Sequence, residues 1–216
     1  MKKLILLVLL VMALGLLPVA GQATVYTFTN EAAFKAALTT FYTADYTPLA
    51  IGDTGVTSLP FSGSGFSYTL SIPDNGSDTL WGFPGNTPPA LSVSTSDVPI
   101  TGSLFASTGQ PLVAIGGLFY LTDFAGTPVD GTINATINGV TSAAIDSVAT
   151  GALHFFGVID TAGISSLLID TGGASGSFAT ISDLTVGASA VPLPPSVLLL
   201  GSGLLGLIGF RRKFVK

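Results

Sequence analysis

The stretch Thr132-Ile-Asn-Ala-Thr-Ile-Asn-Gly-Val140 decides the fold class of this chain. A run of strand length at residues 132–137 is followed directly by Asn138 and Gly139. These two residue types supply the two positive-φ positions that a type I′ turn requires. We therefore predict a β-hairpin whose second strand starts at Val140.

Other segments of similar length continue this pattern on both sides of the hairpin. Residues 66–72 alternate apolar and polar side chains, as a half-buried strand does, and residues 112–121 are apolar enough for a central strand. Further strands are predicted at residues 25–29, 153–159, 164–169 and 178–186, bounded by turn-forming residues. Strands separated by turns, without repeated helices, predict an all-β fold. We expect a single antiparallel β-sandwich of jelly-roll or lectin-like kind over residues 24–190.

One short helix is expected near the start of this sandwich. Asn30 is a suitable N-cap, and Glu31 lies in the first turn, where the helix dipole favours negative charge. Phe34, Leu38 and Phe41 recur at helical spacing and form an apolar stripe. The helix is therefore predicted to run from Asn30 through Leu38.

The charge and cysteine content of residues 24–190 exclude several classes of function. This segment holds all twelve acidic residues and a single basic one, Lys35, which gives a formal charge of −11. Such a surface cannot neutralise a phosphate backbone, so nucleic-acid binding is excluded. The chain has no cysteine, which rules out disulfides, thiol nucleophiles and cysteine metal sites. A domain of this length must be held together by its core.

The N-terminal residues 1–23 have the features of a secretory signal peptide. Lys2 and Lys3 precede an apolar stretch over residues 4–17, and small residues stand at Gly21 and Ala23. We predict cleavage after Ala23, with cleavage after Gly21 as the alternative.

The C-terminal residues 191–216 combine a proline motif, an apolar segment and a basic tail. The motif is Val191, Pro192, Leu193, Pro194 and Pro195. Residues 196–210 are apolar and would form a helix of about 22 Å, short of a ~30 Å hydrocarbon core. Arg211, Arg212 and Lys213 begin the basic tail 211–216 and would stay in the cytoplasm. This order predicts a transmembrane helix that leaves residues 24–190 outside the inner membrane.

These three parts together resemble the PEP-CTERM sorting signal, in its Val-Pro-Leu-Pro variant. The resemblance implies that exosortase, a membrane-embedded cysteine transpeptidase-like enzyme, recognises the C-terminus and clips it near Pro192 to Pro195. It also implies a bacterium that makes exopolysaccharide. Three segments of the sandwich resemble lectin-like domains of PEP-CTERM proteins: residues 27–34, 118–124 and 181–186.

No combination of catalytic residues is recognisable in the sequence. His154 is the only histidine and is predicted within a strand beside two phenylalanines, and Glu31 is the only glutamate. A glycosidase needs two opposed carboxyl groups, and no aspartate lies in a recognisable motif. The sequence therefore predicts a protein that is not an enzyme.

Two sets of residues are candidates for binding. Trp81, Phe83 and Tyr68 lie close to the Pro- and Gly-rich residues 82–89, where an exposed ring would offer a platform for sugars; closure of the core is the alternative. Asp74, Asn75 and Asp78 offer oxygen ligands for a structural calcium ion. Ordinary turn chemistry accounts for the same residues, and also for Asp123 and Asp130. No other cofactor is expected.

Three functions agree with these features. The first is a non-enzymatic envelope or matrix protein, anchored in the inner membrane with its domain in the periplasm. Processing by exosortase would then release it to the cell surface or the exterior, in association with exopolysaccharide or biofilm. The second is a carbohydrate-binding, lectin-like module, and the third is a polysaccharide-active hydrolase.

Overall fold

The structure, a computed structural model, describes the central part of the chain. The described residues are 24–49, 51–73, 78–95, 100–106, 112–172 and 176–189, with only the backbone for 101–106. The predicted signal peptide, sorting motif, membrane helix and basic tail lie outside them. Within the described ranges, no helix combines the length and apolar character that a membrane span requires.

The described residues form one helix and fourteen strands. Helix α1 is Glu31–Ala36. The strands are β1 Val25–Phe28, β2 Leu38–Thr43, β3 Gly52–Asp53, β4 Ser58–Gly63, β5 Phe66–Ser71, β6 Leu80–Phe83, β7 Ala90–Val93, β8 Ile100–Ala106, β9 Ala114–Thr122, β10 Gly131–Ile137, β11 Thr141–Ser147, β12 Phe155–Asp160, β13 Ser166–Asp170 and β14 Phe178–Ser189.

These strands make two sheets in which every pairing is antiparallel. An eight-stranded sheet has the order β1-β12-β9-β14-β7-β6-β3, with β2 also paired to β14. A six-stranded sheet has the order β11-β10-β13-β8-β5-β4. The predicted all-β, antiparallel class is thus confirmed.

One apolar core joins the two sheets face to face. Phe66 and Leu70 of the six-stranded sheet lie in the same buried cluster as Phe119, Leu121 and Ile181 of the eight-stranded sheet. Strand β5 alternates buried and half-buried residues, as its sequence predicted. Strand β9 is buried on both faces for most of its length, because one side meets this core and the other is covered by α1 and loops. The molecule is therefore a β-sandwich.

The hairpin that decides the fold forms as predicted, with one difference at its turn. Asn138 and Gly139 both have positive φ, at 54° and 67°, and the Val140 N–H donates to the Ile137 carbonyl at 3.1 Å. Strand β11 begins at Thr141 rather than at Val140. Val140 completes the turn and is 84% exposed.

Helix α1 is shorter than its sequence indicated. The Asn30 Oδ1 accepts a hydrogen bond from the Ala33 N–H at 2.9 Å, which confirms the predicted cap. The extension through Leu38 was wrong, because residues 38–43 pair with β14 as a strand. The ladder supplies partners for the backbone of β2, and this tertiary pairing overrides the helical spacing.

A glycine pair lets α1 approach the outer face of the eight-stranded sheet. Gly116 of β9 and Gly157 of β12 are Cα partners, and the buried Phe34 of α1 packs on them. A Cβ atom at Gly116 would lie 2.7 Å from Phe155 Cζ and 2.9 Å from the Gly157 Cα. Side chains at this crossing would therefore push the helix away from the sheet.

We predict that Gly116→Ala destabilises the fold through this clash. Overpacking of a closely packed site lowers the free energy of unfolding by about 2 kcal/mol, which corresponds to a melting temperature lower by about 4–8 °C. Gly85→Ala is the matched control, because a Cβ atom at Gly85 meets nothing within 4 Å. Equal melting temperatures for the two variants, measured by thermal unfolding, would contradict this packing.

Candidate functional site

Trp81 lies in strand β6, not in the loop where the sequence had suggested it. Its neighbour Leu80 points into the core between the sheets, so alternation turns Trp81 to the outer face. Trp81 and Ser92 of β7 are Cα partners on that face. The Pro- and Gly-rich composition of residues 82–89 had concealed a strand that begins before this segment.

Three aromatic rings meet on this outer face and form what we call the aromatic patch: Trp81, Phe124 and Phe178. The Trp81 and Phe124 ring centroids are 5.5 Å apart with an interplanar angle of 51°. The Phe124 and Phe178 centroids are 6.2 Å apart at 62°. Phe124 is 67% exposed although it touches both other rings. The patch therefore presents apolar ring surface to solvent.

The surface around the patch is shallow and partly polar. Ser92, Ser94 and Asp123 line the same depression as the three rings, and the depression encloses essentially no volume. The depression has no room for a bound group, so a ligand would contact the exposed ring of Phe124 from outside.

A row of buried hydroxyl groups fixes the strands that carry the patch. The hydroxyl of Thr180 donates to Ser92 Oγ at 2.9 Å, and Ser92 Oγ donates to the Ala179 carbonyl at 2.9 Å. The hydroxyls of Thr122 and Thr180 are also 2.9 Å apart. These bonds link β7, β14 and β9, so Phe178 stands on a rigid base. Trp81 is joined to the same strands through the backbone pairing of β6 with β7.

Phe83 supports the loop that carries Phe124. A Cβ atom at Gly126 would lie 2.7 Å from the Phe83 ring, which shows how closely the loop packs on it. The Asn86 side chain also donates to the Gly126 carbonyl at 3.1 Å. Phe83 thus lies next to the aromatic patch and holds the loop of Phe124 in place.

Tyr68 does not belong to this surface, and its prediction as a glycan contact is wrong. It lies in β5 of the six-stranded sheet and is 0% exposed. Its ring stacks on Phe61 with a centroid distance of 5.3 Å. The alternation that marked this strand in the sequence turns Phe66, Tyr68 and Leu70 inward together.

The structure describes only one of the three residues suggested for calcium. Asp74 and Asn75 lie outside the described residues. Asp78 is buried and accepts a hydrogen bond from the Thr95 hydroxyl. No group of three or more histidine or acidic side chains suited to a metal ion occurs within the described ranges.

Asp123 and Asp130 both accept hydrogen bonds from backbone N–H groups of loops. The Asp123 carboxylate accepts from the N–H groups of Ala125 and Thr127 at 2.9 and 2.8 Å. The Asp130 carboxylate accepts from the Ala149 N–H at 2.8 Å. The turn interpretation is therefore confirmed for Asp123, whereas Asp130 joins its own loop to the loop that holds Ala149.

A larger groove of about 800 Å³ lies away from the patch. His154 lines it and is exposed. It directly precedes Phe155, the first residue of β12. The sequence interpretation had placed this histidine within the strand. Asp146 and Glu31 also line the groove, and Glu31 pairs with Lys35 at 2.6 Å.

Asp183 is a strained and partly buried carboxyl group in β14. Its φ of 50° is unusual for a residue other than glycine, and it lies where the β14–β9 register shifts between Ser182 and Thr185. Burial raises the pKa of Asp183, the nearby Glu31 raises it further, and Lys35 opposes the shift.

The comparisons with known proteins give little guidance. No family model and no curated protein matches the chain. Two solved structures match. The catalytic domain of Agl-KA is 13% identical with a TM-score of 0.33, over 66% of this chain and 29% of that one. A mutant family 29 carbohydrate-binding module complexed with mannohexaose is 9% identical with a TM-score of 0.36, over 69% of this chain and 93% of that one. At such scores neither likeness carries an argument about this chain.

We predict that Asp183→Asn stabilises the protein at neutral pH. The fold holds the pKa of Asp183 above its ordinary value, so the charged form costs stability until the pH falls through that raised pKa. Asparagine tolerates positive φ and carries no charge. The melting temperature of the variant should exceed that of the parent at neutral pH, and the difference should vanish in acid.

Asp45→Asn is the control of opposite sign. Hydrogen bonds from the side chain and then the backbone N–H of Thr47 lower the pKa of Asp45, so its charge supports the fold at neutral pH and that support is lost in acid. A melting temperature of Asp183→Asn that stays at or below the parent's at neutral pH would contradict the inferred cost.

Proposed function

We propose that this chain is an exported, non-catalytic protein that binds polysaccharide through the aromatic patch. The observation that carries the proposal is the exposure of Phe124, which is 67% open to solvent while in contact with two other rings. Contiguous apolar surface marks an interaction site more often than a single exposed side chain does, and Phe124 is in contact with two further rings, unlike an isolated exposed residue.

The chemistry of the patch suits a sugar chain. The C–H face of a pyranose ring is apolar and packs on an aromatic ring, whereas its hydroxyl groups need polar partners at the edge. Ser94 and Asp123 border the rings and are the nearby polar groups. Because the space between the rings cannot enclose a sugar, a sugar chain would lie over the exposed ring of Phe124.

The charge of the domain narrows the class of polymer. With twelve acidic residues and Lys35 alone in residues 24–190, the surface repels polyuronates and other anionic chains. Neutral or amino-sugar polymers are the ligands that this surface admits.

The cellular setting follows from the terminal segments. The signal peptide would export the chain, the helix at residues 196–210 would hold it in the inner membrane, and exosortase would clip it near Pro192 to Pro195. The proposal takes the sandwich to be of lectin-like, jelly-roll kind. It would then act beside exopolysaccharide at the cell surface or outside the cell.

We predict that Trp81→Ala and Phe124→Ala each weaken binding to a neutral polysaccharide. Loss of a stacking ring from the centre of a binding surface costs about 2 kcal/mol, or about thirtyfold in Kd. Affinity electrophoresis and calorimetry with neutral glucans, mannans and chitosan, using the full-length chain in mild detergent, would measure the change.

Tyr26→Ala is the matched control for these variants. Tyr26 is an aromatic residue of similar exposure, at 48%, but it lies on β1 at the opposite end of the eight-stranded order from β3. Its removal should leave the affinity unchanged. Binding to none of the polymers by the folded parent, or equal loss in Tyr26→Ala, would count against the proposal.

We predict further that the mature C-terminus depends on exosortase. Mass spectrometry of the protein from wild-type cells should show an end within residues 191–195, and cells without exosortase should retain residues 196–216. An identical C-terminus in both strains would remove the sorting part of the proposal without touching the glycan part.

A further inference from the structure

The four strands that end the two sheet orders differ in how well their free edges are protected. Strand β3 has two residues and β1 has four, so both are short edges. Strand β4 contains Pro60, and proline lacks the N–H that a further strand would need. Strand β11 has seven residues, without proline or lysine. Among the described residues it is therefore the longest of these four ends, and it lacks both protective residue types. Strand β2, whose described pairing is with β14, is a further edge of six residues.

The groove of about 800 Å³ runs along this edge. Five consecutive residues of β11, 142–146, line it. Successive side chains of a strand point to opposite faces, so a cavity bordered by five in a row follows the edge of the strand and not one of its faces. Alternate residues of β11 pair with β10, and the remaining backbone N–H and C=O groups are directed to the groove side.

The groove suits an extended main chain better than a stack of sugar rings. Phe155 and Phe156 line it but are buried, so their rings are not available as a platform. Five residues of β11 correspond to a length of about 16 Å, enough for an added strand of similar length. The contacts offered along this length are backbone hydrogen bonds, the basis of recognition by strand addition.

The charge of the groove determines which peptides enter it. Asp146 is exposed on β11, and Glu31 lines the same groove. Residues 24–190 contain no arginine, and their one lysine pairs with Glu31. Asp146 is therefore the acidic group of the groove lining without a lysine beside it, and His154 is the other titratable side chain there. A peptide with basic side chains is attracted to this potential, and an acidic peptide is repelled.

We propose that the groove beside β11 binds an extended, basic peptide segment of another protein, which pairs with β11 as an additional strand. This site lies apart from the aromatic patch and does not depend on the proposed glycan function. It gives the protein a route to a protein partner in the cell envelope.

A heptapeptide display library, selected against the full-length chain in mild detergent, tests the proposal. Enriched peptides should contain lysine or arginine and lack proline at their centre. In amide hydrogen exchange, the enriched peptide should slow exchange of residues 142–146 and leave Trp81 and its neighbours unchanged. N-methylation of one alternate set of peptide residues should abolish binding, and methylation of the other set should not.

Protein variants distinguish binding in this groove from binding at the aromatic patch or elsewhere on the acidic surface. Asp146→Lys should weaken the enriched peptide by about tenfold or more, whereas Asp45→Lys, at an exposed aspartate that does not line the groove, should change its affinity little. Trp81→Ala should leave peptide binding intact. Each of the following results would overturn the proposal: no enriched peptide, enrichment of acidic sequences, protection of residues 142–146 by a polysaccharide instead, or self-association of the chain through β11.

Discussion

The packing of two antiparallel sheets against each other is the interaction on which the rest of the molecule depends. The chain has no cysteine, so this shared apolar core holds the domain together without disulfides. The inward side chains of the described strands pack in that core. Surfaces for recognition are therefore restricted to the outer faces, the sheet edges and the loops.

The outer face of the eight-stranded sheet is divided between structure and recognition. At one end, Phe34 of α1 seals the face over Gly116 and Gly157, where the missing side chains allow close contact. At the other end, Trp81, Phe124 and Phe178 remain partly open above hydrogen-bonded hydroxyl groups. The same sheet thus carries a closed region that stabilises it and an open region that we assign to glycan contact.

The sequence predicted the elements that depend on local chemistry. Asn138-Gly139 specified the turn, Asn30 the helix cap, and the alternation at residues 66–72 the buried face of β5. It missed β3, β4, β6, β7 and β8, whose short runs among Gly, Pro and Ser are defined by tertiary pairing. The sequence prediction ended α1 too late, because residues 38–43 form a strand only through their pairing with β14. Phe124 and Phe178 are far from Trp81 in the chain, so only the sheet order brings the patch together, and it excludes Tyr68.

Trp81 is the only tryptophan in the chain, so its fluorescence reports on the aromatic patch alone. Titration of the full-length protein with a neutral polysaccharide tests the central claim most directly. A ring that becomes covered by sugar leaves water, so we predict a saturable shift of Trp81 emission to shorter wavelength, with the same Kd as calorimetry gives. Binding in the calorimeter without any change in Trp81 emission would place the ligand elsewhere and contradict the account.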